Sequence, residues 1–218
     1  MNRISSVSAS LLLAVLMIPV TLAFGEELKS IQLPKPQLDI GRPLMQVLKD
    51  RSSSRSFSTE KLPVQVLSNL LWAAFGINRP DTGHRTAPSA RNWQEIDIYV
   101  AMADGLYLYD AKNHMLQPVI SGDIRAMAGT QDFVKDAPIN LIYVADFSKT
   151  GNATKDDKEM YSAADTGFIS KNVYLFCSSE GLATVVRGSI NREALAKAMK
   201  LRPDQKIILA QTIGYTKK

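Results

Sequence analysis

The sequence predicts one α+β domain in which helices flank a mixed or antiparallel sheet. Residues 63–75 and 159–180 place apolar side chains at three- and four-residue steps, which is the period of an amphipathic helix. Residues 95–119 alternate apolar and polar side chains between short turn sequences, which is typical of a β-meander. A chain of 218 residues with 45% hydrophobic residues can build one such core.

Residues 1–25 are predicted to form a secretory signal peptide. A basic start, MNR, precedes an apolar stretch that ends in small residues, and cleavage after Ala23 or after Gly25 satisfies the small-residue pattern. An uncleaved membrane anchor is the alternative, because the apolar run approaches the roughly 18–20 residues that span a bilayer. Pro19 and Thr21 weaken a spanning helix, so the sequence favours an exported, periplasmic protein over a membrane-tethered or cytoplasmic one.

The charge of the chain excludes one class of partner. The full sequence carries a formal net charge of +5, and removal of residues 1–25 deletes only Arg3, so the mature charge is 25 − 21 = +4. These cations form no long run or stripe, so we expect no nucleic-acid partner, and membrane contact only if the N-terminal segment is retained. Cys177 is the single cysteine, which excludes an intrachain disulfide, and its apolar setting predicts an inert core thiol.

The first part of the mature chain is predicted to contain an arm, two helices and a loop. Residues 26–40 carry two prolines and no clear period, which indicates an extended arm. A short helix ends near Asp50, and a stronger helix begins at Pro63 and stops at Gly76. Residues 77–94 show no periodicity, and structureless loops of this length inside a compact domain are usually functional.

The second half of the chain alternates helices and strands. After the meander, residues 121–135 are predicted to be helical and residues 139–147 to form a buried strand. A polar surface excursion then leads into the longest helix, Glu159 to Glu180. Three more elements close the chain: a strand at 182–188, a helix capped by Asn191 and a strand at 206–215.

One stripe of the longest helix is made of small residues, namely Ala163, Gly167 and Ser170. A glycine costs about 1 kcal/mol in a helix interior, so its presence here needs a reason. The stripe suggests close approach by another helix or by a flat ligand.

Residues that usually carry side-chain catalysis are scarce. The chain has two histidines, His84 and His114, and no cluster of carboxylates in the sequence, which disfavours a metal site. It also lacks a nucleophile elbow, a Walker loop and a dinucleotide fingerprint. His114 is predicted to lie on the surface of a meander strand, and His84 to be structural, with a ligand contact as the alternative. An enzyme with this sequence would therefore depend on an organic cofactor.

The heptapeptide RSSSRSF suggests which chemical group the chain binds. In an extended or turning backbone Arg51, Ser53 and Arg55 project to one side, with Ser52 beside them. Two guanidinium forks with a serine between them suit a phosphate, which accepts paired charge-assisted hydrogen bonds. The alternative is a solvated, serine-rich linker.

The loop RTAPSARNWQ favours the phosphate interpretation. It concentrates Ser89, Asn92 and Gln94, whose side chains both donate and accept hydrogen bonds, immediately before a strand.

RSSSRSF, an apolar helix and a loop containing PSARN before a strand together resemble the nitroreductase family of FMN-dependent flavoproteins. The helix DTGFISKNVYLFCSSEGL, the strand ATVVRG and a terminal IGY follow in the family's order, so the resemblance covers roughly residues 42–215. The middle portion, EIDIYVAMADGLYLYDAKNHMLQPV, is most similar to the branch that contains oxidases forming azole rings in peptides.

This resemblance implies a mixed, largely antiparallel sheet flanked by helices, an FMN-binding domain spanning residues 41–218, and an intertwined homodimer. FMN would lie at the subunit boundary, with the longest helix forming much of the interface. The implied FMN contacts fall into four groups. They are Arg51, Ser52, Ser53 and Arg55 for the phosphate and ribityl chain; Ser89, Ala90 and Asn92 for the ring edge; Val186, Arg187 and Gly188 for the reactive ring nitrogen; and Lys217 and Lys218 as further phosphate contacts.

The sequence departs from the family pattern at three points. Arg91 stands where a small residue is common, and it could narrow the pocket or add an anion contact. Ser52 replaces a larger residue, which puts tight FMN retention in doubt. The C-terminal segment that often wraps the partner subunit is short here.

The resemblance implies two-electron transfer through FMN, from NAD(P)H to a small electron-poor acceptor such as a nitroaromatic or a quinone. Export conflicts with this, because reduced nicotinamide is a cytoplasmic donor. Three functions therefore stay open. The first is an exported FMN enzyme with an unknown electron donor, either a reductase or an oxidase of a peptide or small molecule. The second is a cytoplasmic or membrane-tethered reductase, and the third is a non-catalytic flavin-binding module.

Overall fold

Seven strands of this protein form one antiparallel sheet in a computed structural model that describes residues 27–217. The predicted signal peptide and Lys218 lie outside the described residues. Within residues 27–217, no helix has the length and apolar character needed to cross a membrane.

The sheet has the strand order β1-β6-β5-β4-β7-β9-β8, and a separate hairpin joins β2 to β3. Every pairing in the described residues is antiparallel, and the predicted meander is confirmed. The arm adds a short edge strand that the sequence did not predict. The strands are β1 (Ile31–Gln32), β2 (Ile77–Arg79), β3 (His84–Arg85), β4 (Ile96–Ala101), β5 (Gly105–Asp110), β6 (Met115–Ser121), β7 (Ile139–Asp146), β8 (Ala183–Arg187) and β9 (Gln205–Gly214).

Five α-helices accompany the sheet, and their ends follow the local sequence. The chain enters α2 through Pro63, whose fixed φ suits a helix start. The longest helix begins at Lys155, four residues before the predicted start at Glu159, because the Thr154 hydroxyl accepts a hydrogen bond from the Asp157 N–H and caps an earlier turn. The Asn191 cap of the last helix is confirmed. The helices are α1 (Leu44–Asp50), α2 (Val64–Phe75), α3 (Phe133–Asp136), α4 (Lys155–Ser179) and α5 (Arg192–Ala198).

Two sequence predictions about local structure were wrong. The helix predicted at 121–135 is broken into a 3-10 turn, Arg125–Ala128, and the short α3, with Gly129 in an extended conformation between them. The loop at 77–94 is not structureless, since it contains the β2–β3 hairpin. The first prediction failed because Gly129 interrupts the helix. The second failed because β2 and β3 are too short to show an alternation of apolar and polar residues.

The core lies on both faces of the sheet, and successive residues of β7 alternate between them. Leu141 and Tyr143 pack with α2 and α4 on one face, and Ile142 and Val144 pack with α5 on the other. Cys177 is fully buried in the first of these layers, and burial raises the pKa of its thiol. The prediction of an inert core cysteine is therefore confirmed.

His114 is not the exposed strand residue that the sequence predicted. It lies half-buried in the turn before Met115, with a φ of 48°. Its ring nitrogens contact the hydroxyls of Ser68 at 2.7 Å and Tyr109 at 3.0 Å, and the carbonyl of Pro34 at 3.1 Å. His114 thus ties the N-terminal arm to α2 and to the meander, which is a structural role.

Candidate functional site

The RSSSRSF segment lies along the outer edge of β8. The Ser54 N–H donates to the Thr184 carbonyl at 3.0 Å, and the Ser58 N–H donates to the Tyr215 carbonyl at 2.9 Å. An edge strand leaves alternate backbone groups without a partner, and this segment satisfies some of them. Residues 51–57 form neither a helix nor a strand of the sheet, so the non-helical backbone on which the phosphate prediction depends is present.

Tyr174 of α4 joins this segment to the end of β8. Its hydroxyl lies 2.8 Å from Ser53 Oγ and accepts a hydrogen bond of 3.0 Å from the Val186 N–H. The guanidinium of Arg51 lies 5.3 Å from the centre of the Tyr174 ring, in cation–π contact. Two of the predicted groups of site residues thus meet at one side chain. The sequence did not reveal Tyr174, because a tyrosine in an apolar helix resembles an ordinary core residue.

The cations of the segment are available to an anion. Arg51 is half-buried and Arg55 is exposed, and among residues 27–217 neither forms an ion pair. Ser52 lines a cavity of about 240 Å³ that Thr216 also lines. Lys217 follows Thr216 and is exposed, so its backbone continues from the wall of this cavity; Lys218 lies outside the described residues.

The Arg187 side chain has a different role from its neighbours at the strand end. It is buried, and it donates to the Ala128 carbonyl, Asn140 Oδ1 and Thr212 Oγ1 at 2.8 to 3.1 Å. Burial lowers its pKa to about 10, which still leaves it cationic at neutral pH. The Arg187 guanidinium is therefore not available to a ligand, the Val186 N–H is already bonded to Tyr174, and Gly188 is exposed at this strand end.

The second loop lies against the first half of α4. The Ala90 N–H donates to Asp165 Oδ2 at 2.9 Å, and the Gln94 N–H donates to Ser89 Oγ at 2.8 Å. Arg91, Asn92 and Gln94 all have positive φ, at 52°, 53° and 48°. Such backbone conformations cost about 1–3 kcal/mol each for ordinary residues and cluster at functional sites.

The sequence showed no cluster of acids, but the fold creates one beneath this loop. Glu95 and Asp165 are 0% and 2% exposed, and Ser89 Oγ lies 3.4 Å from Glu95 Oε2. Burial raises the pKa of both carboxyls, and the proximity of Asp165 raises that of Glu95 further. Seventy residues separate the two acids in the chain, so no spacing rule could have found the pair.

Arg91, the residue that departs from the family pattern, lies over two aromatic rings. Its guanidinium is 5.3 Å from the centre of Trp93 and 5.8 Å from that of Tyr161, and the two rings meet edge to face at 5.7 Å. Arg91 and Asn92 are exposed. The loop therefore presents one cation and one amide to the surface, supported by an aromatic pair.

The two groups of site residues do not converge within one chain. Asp165 holds the loop and Tyr174 holds the RSSSRSF segment, and nine residues of α4 separate these two positions. At the 1.5 Å rise of an α-helix, this is about 14 Å along the axis. Each chain thus carries two separate partial sites along one helix.

The surface of α4 around these partial sites is partly apolar. From Met160 to Lys171 the exposed positions recur at helical spacing, and they are Met160, Ala163, Ala164, Gly167, Phe168 and Lys171. A Cβ added at Gly167 would have no heavy atom within 4 Å. Ser170 does not belong to this stripe as predicted, because it is buried and its hydroxyl bonds to the Gly167 carbonyl.

None of the candidate residues lines the apolar cavity of about 460 Å³ between the arm, α1 and α4, whose walls include Leu38, Leu44 and Phe176. Within the described residues, no three histidine, cysteine or acidic side chains lie close enough to hold a metal ion. The partial sites at Tyr174 and at the 89–94 loop therefore remain the places where chemistry is concentrated.

Comparison with known proteins agrees with the order of these elements. A crystal structure of a candidate nitroreductase from Ralstonia eutropha JMP134 is 44% identical, with a TM-score of 0.85, over 89% of this chain and 92% of that one. A candidate nitroreductase of Methanocaldococcus jannaschii is 30% identical over 169 residues, which are 73% of this chain and 85% of the relative.

A more distant structure shares the fold. The NADPH:FMN oxidoreductase of Vibrio harveyi, complexed with NAD+, has a TM-score of 0.59 at 16% identity, over 80% of this chain and 69% of that one. The sequence pattern of the nitroreductase family matches residues 48–215, which is more than half of the chain. The fold predicted from the resemblance is confirmed, and the chain belongs to the nitroreductase family.

Proposed function

We propose that this protein is an FMN-dependent oxidoreductase that passes two electrons from a reduced donor, NAD(P)H in the family, to an electron-poor acceptor such as a nitroaromatic or a quinone. The observation that carries the proposal is the contact of Tyr174 with both Ser53 and Val186. It links a cationic, hydroxyl-rich segment to a strand end. A cofactor with a phosphate tail and a ring needs such a segment for its phosphate and such a strand end for its ring.

The residues present fit an FMN phosphate. A phosphate needs donors whose charge is not already neutralised, and Arg51 and Arg55 form no ion pair among residues 27–217. Ser52 and Ser53 add exposed hydroxyls, and Lys217 lies near them. The Arg187 guanidinium is excluded from this set, because it already donates to three acceptors in the core.

The ring would require a second chain. The 89–94 loop and the Tyr174 site are about 14 Å apart along α4, so we propose that the loop of one subunit completes the site of its partner in a homodimer. The apolar stripe of α4 with its open Gly167 is the surface that such a dimer would bury. FMN would then lie at the boundary, held by both chains.

Bound FMN would accept and release the two electrons of the reaction. The protein's own residues would position the ring and make its surroundings polar. Cations and backbone N–H groups near the ring favour an anionic reduced form, as an oxyanion hole favours its oxyanion. No side chain needs to act as an acid or base, which agrees with the structural roles of His114 and Cys177.

Localisation bears on the electron donor. We propose, from residues 1–25, that the protein is exported to the periplasm, where a donor other than NAD(P)H would serve. N-terminal sequencing of the protein recovered from cells tests this directly: a chain that starts at Phe24 or Glu26 supports export, and an intact Met1 contradicts cleavage.

The proposed activity is tested with purified protein under anaerobic conditions. The visible spectrum should show bound flavin, and NADPH or NADH should bleach it before a quinone or nitroaromatic restores it. Bound flavin that ignores both nucleotides excludes NAD(P)H as the donor and leaves three functions: a reductase with another donor, an oxidase such as those of the azole-forming branch, and a flavin-binding module. Turnover of an added substrate with oxygen identifies the oxidase. Protein that stays colourless with excess FMN contradicts the proposal.

Variants of the two free arginines test the phosphate site. Arg51→Ala and Arg55→Ala should each weaken FMN binding by about 1.5–3 kcal/mol, the scale of hydrogen bonds to charged groups. Lys206→Ala removes an exposed cation elsewhere and should leave the affinity unchanged. FMN affinity is measured by flavin fluorescence quenching. Equal affinity in the wild type and in both arginine variants would contradict the proposed phosphate site.

A further inference from the structure

The loop at residues 89–94 adopts a backbone that it would not hold by itself. Arg91 and Gln94 have positive φ without being glycine, asparagine or aspartate, and each such residue costs about 1–3 kcal/mol. External contacts must offset this cost. On α4 they are the Asp165 carboxyl, which accepts from the Ala90 N–H, and the Tyr161 ring, which meets Trp93.

The Asp165 contact belongs to a buried polar cluster with an unusual balance of charge. The loop contributes Ser89, β4 follows directly from Glu95, and α4 contributes Ser162, Asp165 and Thr166. Glu95 Oε1 and the hydroxyls of Ser162 and Thr166 are buried without a hydrogen-bond partner of ordinary geometry among residues 27–217. Ser89 Oγ reaches Glu95 and the N–H of the next residue, Ala90, reaches Asp165, so the two carboxyls are neighbours, and neither forms an ion pair among residues 27–217.

Two adjacent carboxylates without a cation cannot both stay ionised in a buried site. Like charges that share a desolvated site raise one pKa strongly, so that the pair holds a proton. A singly protonated pair also solves the geometric problem, because one carboxyl can donate to the other. The raised pKa of both Glu95 and Asp165 agrees with this arrangement.

We propose that Glu95 and Asp165 form a one-proton carboxyl pair that clamps the strained 89–94 loop to α4, and that loss of this proton releases the loop. Both acids are positioning residues, since they act through Ser89 and Ala90 and not on a ligand. The link to FMN rests on the proposed function: a released loop could no longer complete the ring site, so FMN would be bound below the transition and lost above it.

The direction of the pH effect follows from the sign of the shifts. Both carboxyls titrate higher in the folded protein than in the unfolded chain, where they titrate near about pH 4. The folded state therefore favours the protonated pair, and the clamp weakens as the pH rises through the pKa of the folded pair. The transition should lie above pH 4, with the loop clamped below it and released at alkaline pH.

Trp93 reports on the loop without any cofactor. The full chain with Trp72→Phe keeps Trp93 as its single tryptophan, and its emission can be followed from about pH 5 to about pH 9. We expect a shift towards solvent-exposed emission as the pH rises, while far-UV circular dichroism stays constant. A flat emission profile over this range with the loop folded would overturn the inference.

Amide variants distinguish a clamp from a merely buried acid. Glu95→Gln and Asp165→Asn each place a permanent N–H donor beside the remaining carboxylate, so they imitate the protonated pair and should abolish the transition or move it by more than about one pH unit. Asp97→Asn is the matched control, because Asp97 lies in β4 with a raised pKa but is paired with Lys149 at 2.7 Å. His84→Asn controls for the histidine of the adjoining hairpin.

In both controls the Trp93 transition should persist unchanged. If either control removes it, or if both amide variants retain the wild-type profile, the carboxyl pair is not the clamp.

FMN binding supplies a separate measurement. At about pH 6 and about pH 8.5 the wild type should differ in FMN affinity by at least about tenfold, and the amide variants should show little difference. If no variant binds FMN at any pH, the proposed function fails, and the Trp93 profiles still decide on the clamp. If FMN binds but its affinity is independent of pH while Trp93 moves, the loop is not part of the flavin site.

Discussion

The Val186 N–H donates a hydrogen bond of 3.0 Å to the hydroxyl of Tyr174. Val186 lies on an edge strand and Tyr174 on the longest helix, so one side chain satisfies a backbone amide that the sheet leaves without a partner. The same hydroxyl contacts Ser53, which places the RSSSRSF segment, the helix and the strand end within one hydrogen-bonded unit.

Tyr174→Phe should loosen this unit while the ring stays in place. The Val186 amide and the Ser53 hydroxyl each lose a partner. The free energy of unfolding should therefore fall by about 1 kcal/mol, and FMN binding should weaken by about 1 kcal/mol. Urea unfolding and flavin titration measure the two effects. Tyr161→Phe on the same helix is the control, and an equal loss in that variant would contradict a specific role for Tyr174.

Gly167→Arg should dissociate the proposed homodimer without unfolding the chain. A Cβ at this position has no heavy atom within 4 Å outside the backbone of its own helix, so the substitution has room within the chain and should act on what packs against the stripe. Light scattering after size exclusion should show a monomer with the wild-type circular dichroism spectrum. Glu193→Arg on the exposed surface of α5 should leave the mass unchanged. A dimeric Gly167→Arg protein would place the interface elsewhere.

Arg187→Met should destabilise the fold by about 2–4 kcal/mol, because it removes the buried hydrogen bonds to the Ala128 carbonyl, Asn140 Oδ1 and Thr212 Oγ1, and the last two oxygens keep only their hydrogen bond to each other. Arg192→Met is the matched control: Arg192 also donates to three carbonyls, but it is exposed, so water can replace it. Denaturant unfolding compares the two.

Gly129→Ala tests the same buried guanidinium from the opposite side. A Cβ at Gly129 would overlap Arg187 Nη1, although the extended backbone there accepts any residue. The variant should therefore lose stability through displacement of Arg187. In an Arg187→Met background the added methyl should cost much less, and an equal cost in both backgrounds would contradict this explanation.

His114 should make the stability of the arm depend on pH. Burial lowers the pKa of its imidazole below the ordinary 6.5, so the folded state favours the neutral ring. The contribution is present above about pH 6.5 and is lost as the pH falls through the lowered pKa. His114→Gln should flatten this acid loss in urea unfolding, and His84→Asn should not. An unchanged pH profile in His114→Gln would contradict the role assigned to the ring.

The regular elements of the fold were predictable because their signals are local. The apolar period of α2, the alternation of the meander and the caps at Pro63 and Asn191 all act within a few residues. The helix predicted at 121–135 was wrong because Gly129 interrupts it in an extended conformation, and the contacts that hold Arg125 and Phe133 in separate short turns come from Ala137 and from distant strands.

The site was predictable only where it depends on local motifs. RSSSRSF and PSARN mark their positions by composition, and the structure places both at exposed edges. Tyr174 and the Glu95–Asp165 pair depend on contacts between residues seventy or more positions apart, and a single tyrosine or acid has no distinctive local signal. The surface role expected for His114 was wrong for the same reason, since Pro34 and Ser68 reach it through the fold.

The pairing of Ser54 with Thr184 and of Ser58 with Tyr215 also has a kinetic consequence. These contacts close chain loops of well over one hundred residues, and contacts of such high sequence separation form slowly and late. The segment that would grip the phosphate therefore acquires its shape only after the C-terminal strand has docked. Nascent or C-terminally shortened chains would lack this shape, so cofactor loading would follow the completion of folding and could not guide its early steps.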